Sequence, residues 1–210
     1  MLAAGPPPEA AAATLVLLHG RGGSAEDILS LYAELGLPEF GALAPQAAAN
    51  SWYPNSFLAP LEANQPYLDS ALRRIESIVA GLLARGVPRD RVVVLGFSQG
   101  ACLTLEYTAR HPRRYGAVVG LTGGLIGPPG TPRDYAGTLD DTHVFLGTSD
   151  PDPHVPLSRV RETEAVLTRM GAAVELRRYP GMPHTVNPDE LDATRSLLER
   201  VLSRGKGGRP

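Results

Sequence analysis

Residues 91–112 read RVVVLGFSQGACLTLEYTARHP, and this stretch decides the fold. Val92, Val93, Val94 and Leu95 form the most strand-like run in the chain, a continuous apolar segment of the kind buried on both faces of a sheet. The run passes straight into GFSQG, Gly96 to Gly100, and from there into a helical segment that Pro112 ends. A serine at such a strand-to-helix junction is pushed above the sheet edge. The glycines on either side let neighbouring backbone come close, and the helix N-terminus supplies free N–H groups where negative charge could form. Ser98 is therefore the candidate nucleophile. Cys102, four residues further on, is read as core filling.

A nucleophilic serine needs a base, and the base needs an orienting carboxylate. For a G-x-S-x-G serine the chain order is Ser, then acid, then His, with the last two on loops after later strands. Two late loops fit. GTSDPDPHVP, residues 147–156, follows the apolar run HVFL, and YPGMPHTVN, residues 179–187, follows AAVELRR. His184 is the histidine C-terminal to the acid loop and is the candidate base. The acid loop carries two aspartates. Counting from the strand favours Asp150, and counting back from Val155-Pro156 favours Asp152. Asp152 is preferred because the next helix begins near Pro156 and anchors that side of the loop; Asp150 is then expected to shape the turn by accepting backbone hydrogen bonds. An oxyanion would be met by two backbone N–H groups, those of Gln99 and of Arg21 in the loop HGRGG. His19, in the same loop, is read as a brace.

Outward from this centre, the chain alternates strand and helix patterns. Strands are predicted at 14–19, 41–46, 91–97, 115–123, 142–147 and 172–180. Amphipathic helices follow from Ser24, over 67–86, after Ser98, after Pro156 and after Pro188. The order predicts an α/β protein with a mostly parallel sheet and helices on both faces, in a single domain over 1–210, with tails at 1–12 and 205–210. Residues 47–66 form a long loop rich in Asn, Pro and aromatics, which is more often functional than idle. The connection GGLIGPPGTPRDYAGTLDD after the strand predicted at 115–123 is too short and too rich in Gly and Pro for a separate lid domain, so the site is expected to be open.

Composition narrows the function classes. The net charge is −2, with no basic cluster to suggest nucleic acid. One cysteine excludes an internal disulfide. No apolar segment approaches the roughly 20 residues that span a bilayer, and the N-terminus has no basic n-region, so a cytoplasmic protein without membrane insertion is expected. GRGGSA, residues 20–25, satisfies G-x-G-x-x-A, yet the acid that a dinucleotide site needs about 20 residues on is absent. Asp150, Asp152 and His154 lack further partners for a metal. No metal or cofactor is expected, and the sequence says nothing of oligomeric state.

LLHGRGG, APQAAANSWYP, GFSQGA, DPHVP and YPGMPHTVN occur in that order, and with them the chain resembles the phospholipase/carboxylesterase family of α/β-hydrolases over about residues 14–203. That resemblance implies the α/β-hydrolase fold and cofactor-free cleavage of carboxylic esters or thioesters. The triad would be Ser98, His184 and an aspartate, with oxyanion donors on Arg21 and Gln99. The chain departs from the family in the acid loop, which has two more residues between strand and Val-Pro. Small-molecule esters are the expected substrates, with an acyl-thioester or lysophospholipid as the alternative. A catalytically idle binding module is the reading from another class. Trp52, Tyr53, Phe57, Leu125 and Met182 are the candidates for the pocket wall.

Overall fold

The computed structural model describes residues 1–206. It contains a seven-stranded sheet flanked by five α-helices. The strands are β1 (Leu2–Ala4), β2 (Ala13–Leu18), β3 (Phe40–Ala44), β4 (Val92–Phe97), β5 (Ala117–Leu121), β6 (His143–Asp150) and β7 (Ala173–Pro180). The helices are α1 (Ala25–Leu35), α2 (Tyr67–Ala84), α3 (Gln99–Arg110), α4 (Leu157–Arg169) and α5 (Pro188–Lys206).

The sheet order is β1-β3-β2-β4-β5-β6-β7, and every neighbouring pair is parallel except β1 with β3. Side chains on a strand alternate between faces, and both faces here are apolar. Val16 and Val94 pack with α2, α3 and α4, while Leu15, Leu17, Val93 and Leu95 pack with α1 and α5. The two cores thus lie on opposite faces of one sheet, as the alternating pattern requires. Residues 122–142, between β5 and β6, contain neither helix nor strand, so no lid domain is inserted there.

The chain leaves β2 for β3 on one side and returns to place β4 on the other. The loops after β2 and β4 therefore diverge from a common crevice at the C-terminal ends of these two strands, where open α/β sheets bind ligands.

The tail expected over 1–12 is not one. Leu2, Ala3 and Ala4 pair antiparallel with Ala44, Leu43 and Ala42, and so form an edge strand. Gly5, at φ 71°, reverses the chain before Pro6, and three apolar residues in a row carry no period that would reveal such a strand. At the other end residues 205 and 206 extend α5; the rest of that expected tail, 207–210, lies outside the described residues.

Local signals explain the helix positions. Ser24 caps α1 by accepting from the Asp27 N–H at 3.1 Å, and the Asp27 carboxylate returns the favour to the Ser24 N–H at 2.8 Å. Gly36 closes the helix in the left-handed conformation. Asn187 and Glu190 make the equivalent reciprocal pair at α5. The Asn187 carbonyl oxygen accepts from the Glu190 N–H at 2.9 Å, and the Glu190 carboxylate accepts from the Asn187 N–H at 3.0 Å.

Candidate active site

Ser98 stands in the turn between β4 and α3 with φ 54° and ψ −118°. A side-chain-bearing residue there costs of order 1–3 kcal/mol, and the surroundings must hold it. The Ser98 N–H donates to the Leu121 carbonyl at 2.9 Å, and the Ser98 carbonyl accepts from the Cys102 N–H at 3.0 Å. The flanking glycines are demanded by packing. A Cβ on Gly96 would lie 2.3 Å from the Gly100 carbonyl, and one on Gly100 would lie 2.1 Å from the Leu18 carbonyl. The turn is tight because α3 lies directly against β2.

The loop after β7 brings His184 to this serine. Its Nε2 lies 2.8 Å from Ser98 Oγ, and its Nδ1 lies 2.7 Å from Asp152 Oδ2. With the Nδ1–H donated to the carboxylate, Nε2 is left to accept the serine hydroxyl. The Asp152 side chain is fully buried. Burial alone would raise its carboxyl, but the hydrogen bond from His184 and those from the His154 and Val155 N–H groups, both 2.8 Å, hold it below the usual carboxylate range.

Asp150 ends β6 and points elsewhere. Its carboxylate accepts from Arg178 at 3.2 Å on an exposed surface. The expectation that Asp150 shapes the turn through backbone N–H groups is corrected: those bonds belong to Asp152 Oδ1. The strand continues through Asp150, and Asp150 pairs in register with Pro180. The strand thus runs three residues past its predicted end at Gly147, which takes up the extra residues of this loop.

The two residues expected to supply oxyanion donors, Gln99 and Arg21, both lie in segments that adjoin Ser98. Gln99 is the first residue of α3, so its N–H is among those a helix leaves without an internal partner. The loop after β2 abuts Ser98 from the other side, where a Cβ on Gly20 would come 3.4 Å from Ser98 Cβ. Arg21 follows, and its guanidinium is directed to the loop of 47–66. It donates to Ser51 Oγ at 3.0 Å, the Pro54 carbonyl at 2.9 Å and the Asn55 carbonyl at 2.6 Å.

The long loop of 47–66 is thereby tied to the site. Gln99 accepts from the Trp52 N–H at 3.0 Å and donates to the Tyr53 carbonyl at 2.8 Å. His19 braces it from below, accepting from the Ala47 N–H at 3.1 Å through Nε2 while Nδ1 lies 2.7 Å from the Gly20 carbonyl.

Above Ser98 and His184 lies an open cavity of about 750 Å³. Tyr53, Pro54, Phe57 and Leu58 form one wall, Val155 and Pro156 the opposite one, and Cys102 the base behind Ser98. Its ionisable lining consists of Arg21, Tyr53, Cys102, His154 and His184, with no carboxylate among them. The His154 ring stands edge-on to His184, centroids 4.9 Å apart. Burial pushes the Cys102 thiol up to about 12, so it stays protonated and a poor nucleophile.

Three residues expected on the wall do not line this cavity. Trp52 turns inward, its indole N–H donating to the His19 carbonyl at 2.9 Å. Leu125 is fully buried in the core, its N–H held by Thr163 at 2.9 Å and its carbonyl by Arg159 at 2.7 Å. Met182 lies on the turn after β7, outside the lining. Leu58, Val155 and His154 were missed as wall residues. A signal for His154 and Val155 was present, since both lie in the aspartate loop, two and three residues after Asp152. No group of three or more His, Cys, Asp or Glu side chains able to hold a metal ion occurs among the described residues. Nor is any helix among them long and apolar enough to cross a membrane.

A family model described as phospholipase/carboxylesterase matches residues 4–202. Acyl-protein thioesterase 1 of Saccharomyces cerevisiae is 29% identical over 137 residues, which is 64% of this chain and 60% of the yeast protein. Acyl-protein thioesterase 1 of Gibberella zeae is 31% identical over 120 residues, 56% of this chain and 51% of that protein. The match thus spans about half to three fifths of the length of these curated relatives. A crystal structure of a phospholipase/carboxylesterase from Dyadobacter fermentans superposes with a TM-score of 0.91 at 48% identity, covering 94% of this chain and 95% of that one.

Proposed function

Since the chain belongs to the phospholipase/carboxylesterase family and has the α/β-hydrolase fold, we propose that it is a serine hydrolase cleaving carboxylic esters of small acyl groups through an acyl-enzyme. The observation that carries this reading is the unbroken hydrogen-bond chain from Ser98 through His184 to Asp152 beneath an open cavity.

In the proposed reaction His184 Nε2 removes the Ser98 proton as Oγ attacks the acyl carbonyl. The Gln99 and Arg21 N–H groups hold the oxyanion, and Asp152 stabilises the imidazolium and fixes the tautomer. His184 then gives its proton to the departing alcohol oxygen. A water, activated by the same imidazole, releases the acid and restores Ser98. The absence of carboxylates from the cavity lining suits a neutral acyl chain packed against Tyr53, Phe57, Leu58 and Val155. The names of the relatives support a second reading on the same residues, hydrolysis of acyl thioesters. Chemically, the two differ only in the leaving atom.

Wild type and Ser98→Ala are to be compared on p-nitrophenyl butyrate, then on a butyryl thioester. Loss of activity by three orders of magnitude or more in the variant is the expected result. Equal rates from both proteins would end the hydrolase reading and leave a binding module.

A further inference from the structure

A second cavity of about 400 Å³ opens beside the first and shares Gly20, Arg21 and Phe97 with it. It lies against α1, with Ile28 and Leu31 as its floor and Val186 and Leu191 closing the other side. Asp27 and Glu34 bound it, and they are seven residues apart on one helix, so the cavity runs about 10 Å along α1. Both cavities meet at Phe97, the residue before Ser98, whose ring lies 5.3 Å from the His184 ring.

A tetrahedral adduct on Ser98 projects three groups besides Oγ. The oxyanion is turned toward the Gln99 and Arg21 N–H groups, which leaves two substituents and two cavities. The proton donor to the leaving atom is His184, and Thr185 and Val186, the next residues in the chain, belong to the lining of the α1 cavity. We infer that the α1 cavity is the leaving-group subsite: it takes the alcohol or thiol half of the substrate, with an apolar body of about six carbons, neutral or cationic. This rests on the esterase reading above and adds to it a division of the substrate between two arms.

Size and charge both follow from the lining. Ile28, Leu31, Phe97, Val186 and Leu191 offer apolar surface, so affinity rises with each methylene buried, by about fourfold at full burial. Glu34 is exposed at the far end and Asp27 at the near end. These two carboxylates outnumber the Arg21 guanidinium on the same lining, so a cationic alcohol is favoured over an anionic one, by an interaction that salt weakens.

The discriminating experiment holds the acyl group constant. Methyl, hexyl, choline and 3,3-dimethylbutyl butyrates are hydrolysed by wild type, Val186→Phe and Glu34→Lys; a second series varies the acyl chain from acetyl to octanoyl on one alcohol. Val186 is half-buried at the rim and Glu34 exposed, so neither change overpacks the core. Val186→Phe is expected to lower the hexyl-to-methyl ratio of kcat/KM about tenfold while leaving the octanoyl-to-acetyl ratio within twofold. Glu34→Lys is expected to lower the choline-to-dimethylbutyl ratio at least threefold at low salt, with less effect at 0.5 M. Deacylation, read as the common kcat of esters that accumulate the acyl-enzyme, carries no leaving group and is expected to be the same for all alcohols of one acyl series.

A change in the acyl ratio instead would assign the cavity to the acyl chain and overturn the inference. Unmoved ratios in both variants would overturn it as well. Either result leaves the esterase reading standing, which falls only if wild type and Ser98→Ala hydrolyse the esters equally.

Discussion

Ser98 occupies a backbone conformation that an L-residue adopts only under constraint, and two aspartates two residues apart compete for the role behind it. The structure separates them by burial and by partner. Asp152 is fully buried and meets His184, whereas Asp150 is half-exposed and meets Arg178. Asp152→Asn replaces the acceptor facing Nδ1 with an amide and favours the wrong tautomer; kcat is expected to fall about 10³-fold or more at pH 7. Asp150→Asn breaks an exposed ion pair worth less than about 1 kcal/mol and is expected to leave kcat within threefold. Steady-state kinetics on one ester decides the matter, and the reverse ordering would move the acid to Asp150. Counting from Val155-Pro156 picked the carboxylate that reaches His184, because the α4 start fixes the loop from that side. Counting from the strand did not, because β6 runs three residues past the predicted end at Gly147.

At the scale of elements, the long loop of 47–66 buries Trp52, Tyr53 and Phe57 in the core and is tied to the site by two side chains from elsewhere. Arg21 ties residues 51, 54 and 55, and Gln99 ties residues 52 and 53. Arg21→Ala removes three hydrogen bonds from the cavity wall and leaves the Arg21 N–H in place. KM for a butyryl or longer ester is expected to rise about five- to tenfold, with kcat changed less than threefold; Michaelis–Menten curves on acetyl and octanoyl esters test this. A fall in kcat with KM unchanged would mean that the guanidinium acts on the transition state. The elements themselves were readable where period, cap and breaker agreed, as at Ser24, Gly36 and Pro112. β1 was not readable, since three residues pair only because Gly5 turns the chain back. The wall was half readable for the same reason. Tyr53 and Phe57 reach the cavity, whereas Trp52 is drawn under the loop by the His19 carbonyl, a contact 33 residues away in sequence.

For the whole molecule, the carboxyl with the most at stake lies outside the site. Glu190 caps α5, and its Oε1 lies where a Cβ on Gly147 would stand, 2.1 Å away. Burial is the main cause that raises it from 4.5 to about 7; the Asn187 N–H opposes this and the Asp189 charge adds to it. The folded state therefore binds this proton more tightly than the unfolded chain. Its stabilising effect is complete below 4.5 and is lost as pH rises through about 7. Glu190→Gln keeps an uncharged side chain at all pH values. Relative to wild type, the variant is expected to gain on the order of 3 kcal/mol or less between pH 5 and 8, several degrees in Tm. Thermal melts across that range test it, and parallel curves would show that the carboxyl does not titrate on folding. The spacing from Asn187 marks this glutamate as a capping partner, but its burial is set by how α5 docks beneath β6.

Cys102 gives the molecule one more property. It is the single thiol in 210 residues, it lies at the base of the cavity, and burial keeps it protonated. A thiol-directed reagent that enters this cavity meets a buried, protonated group and reacts slowly. The rate of its alkylation is therefore expected to report on occupancy of the cavity beside Ser98, falling when a ligand fills it.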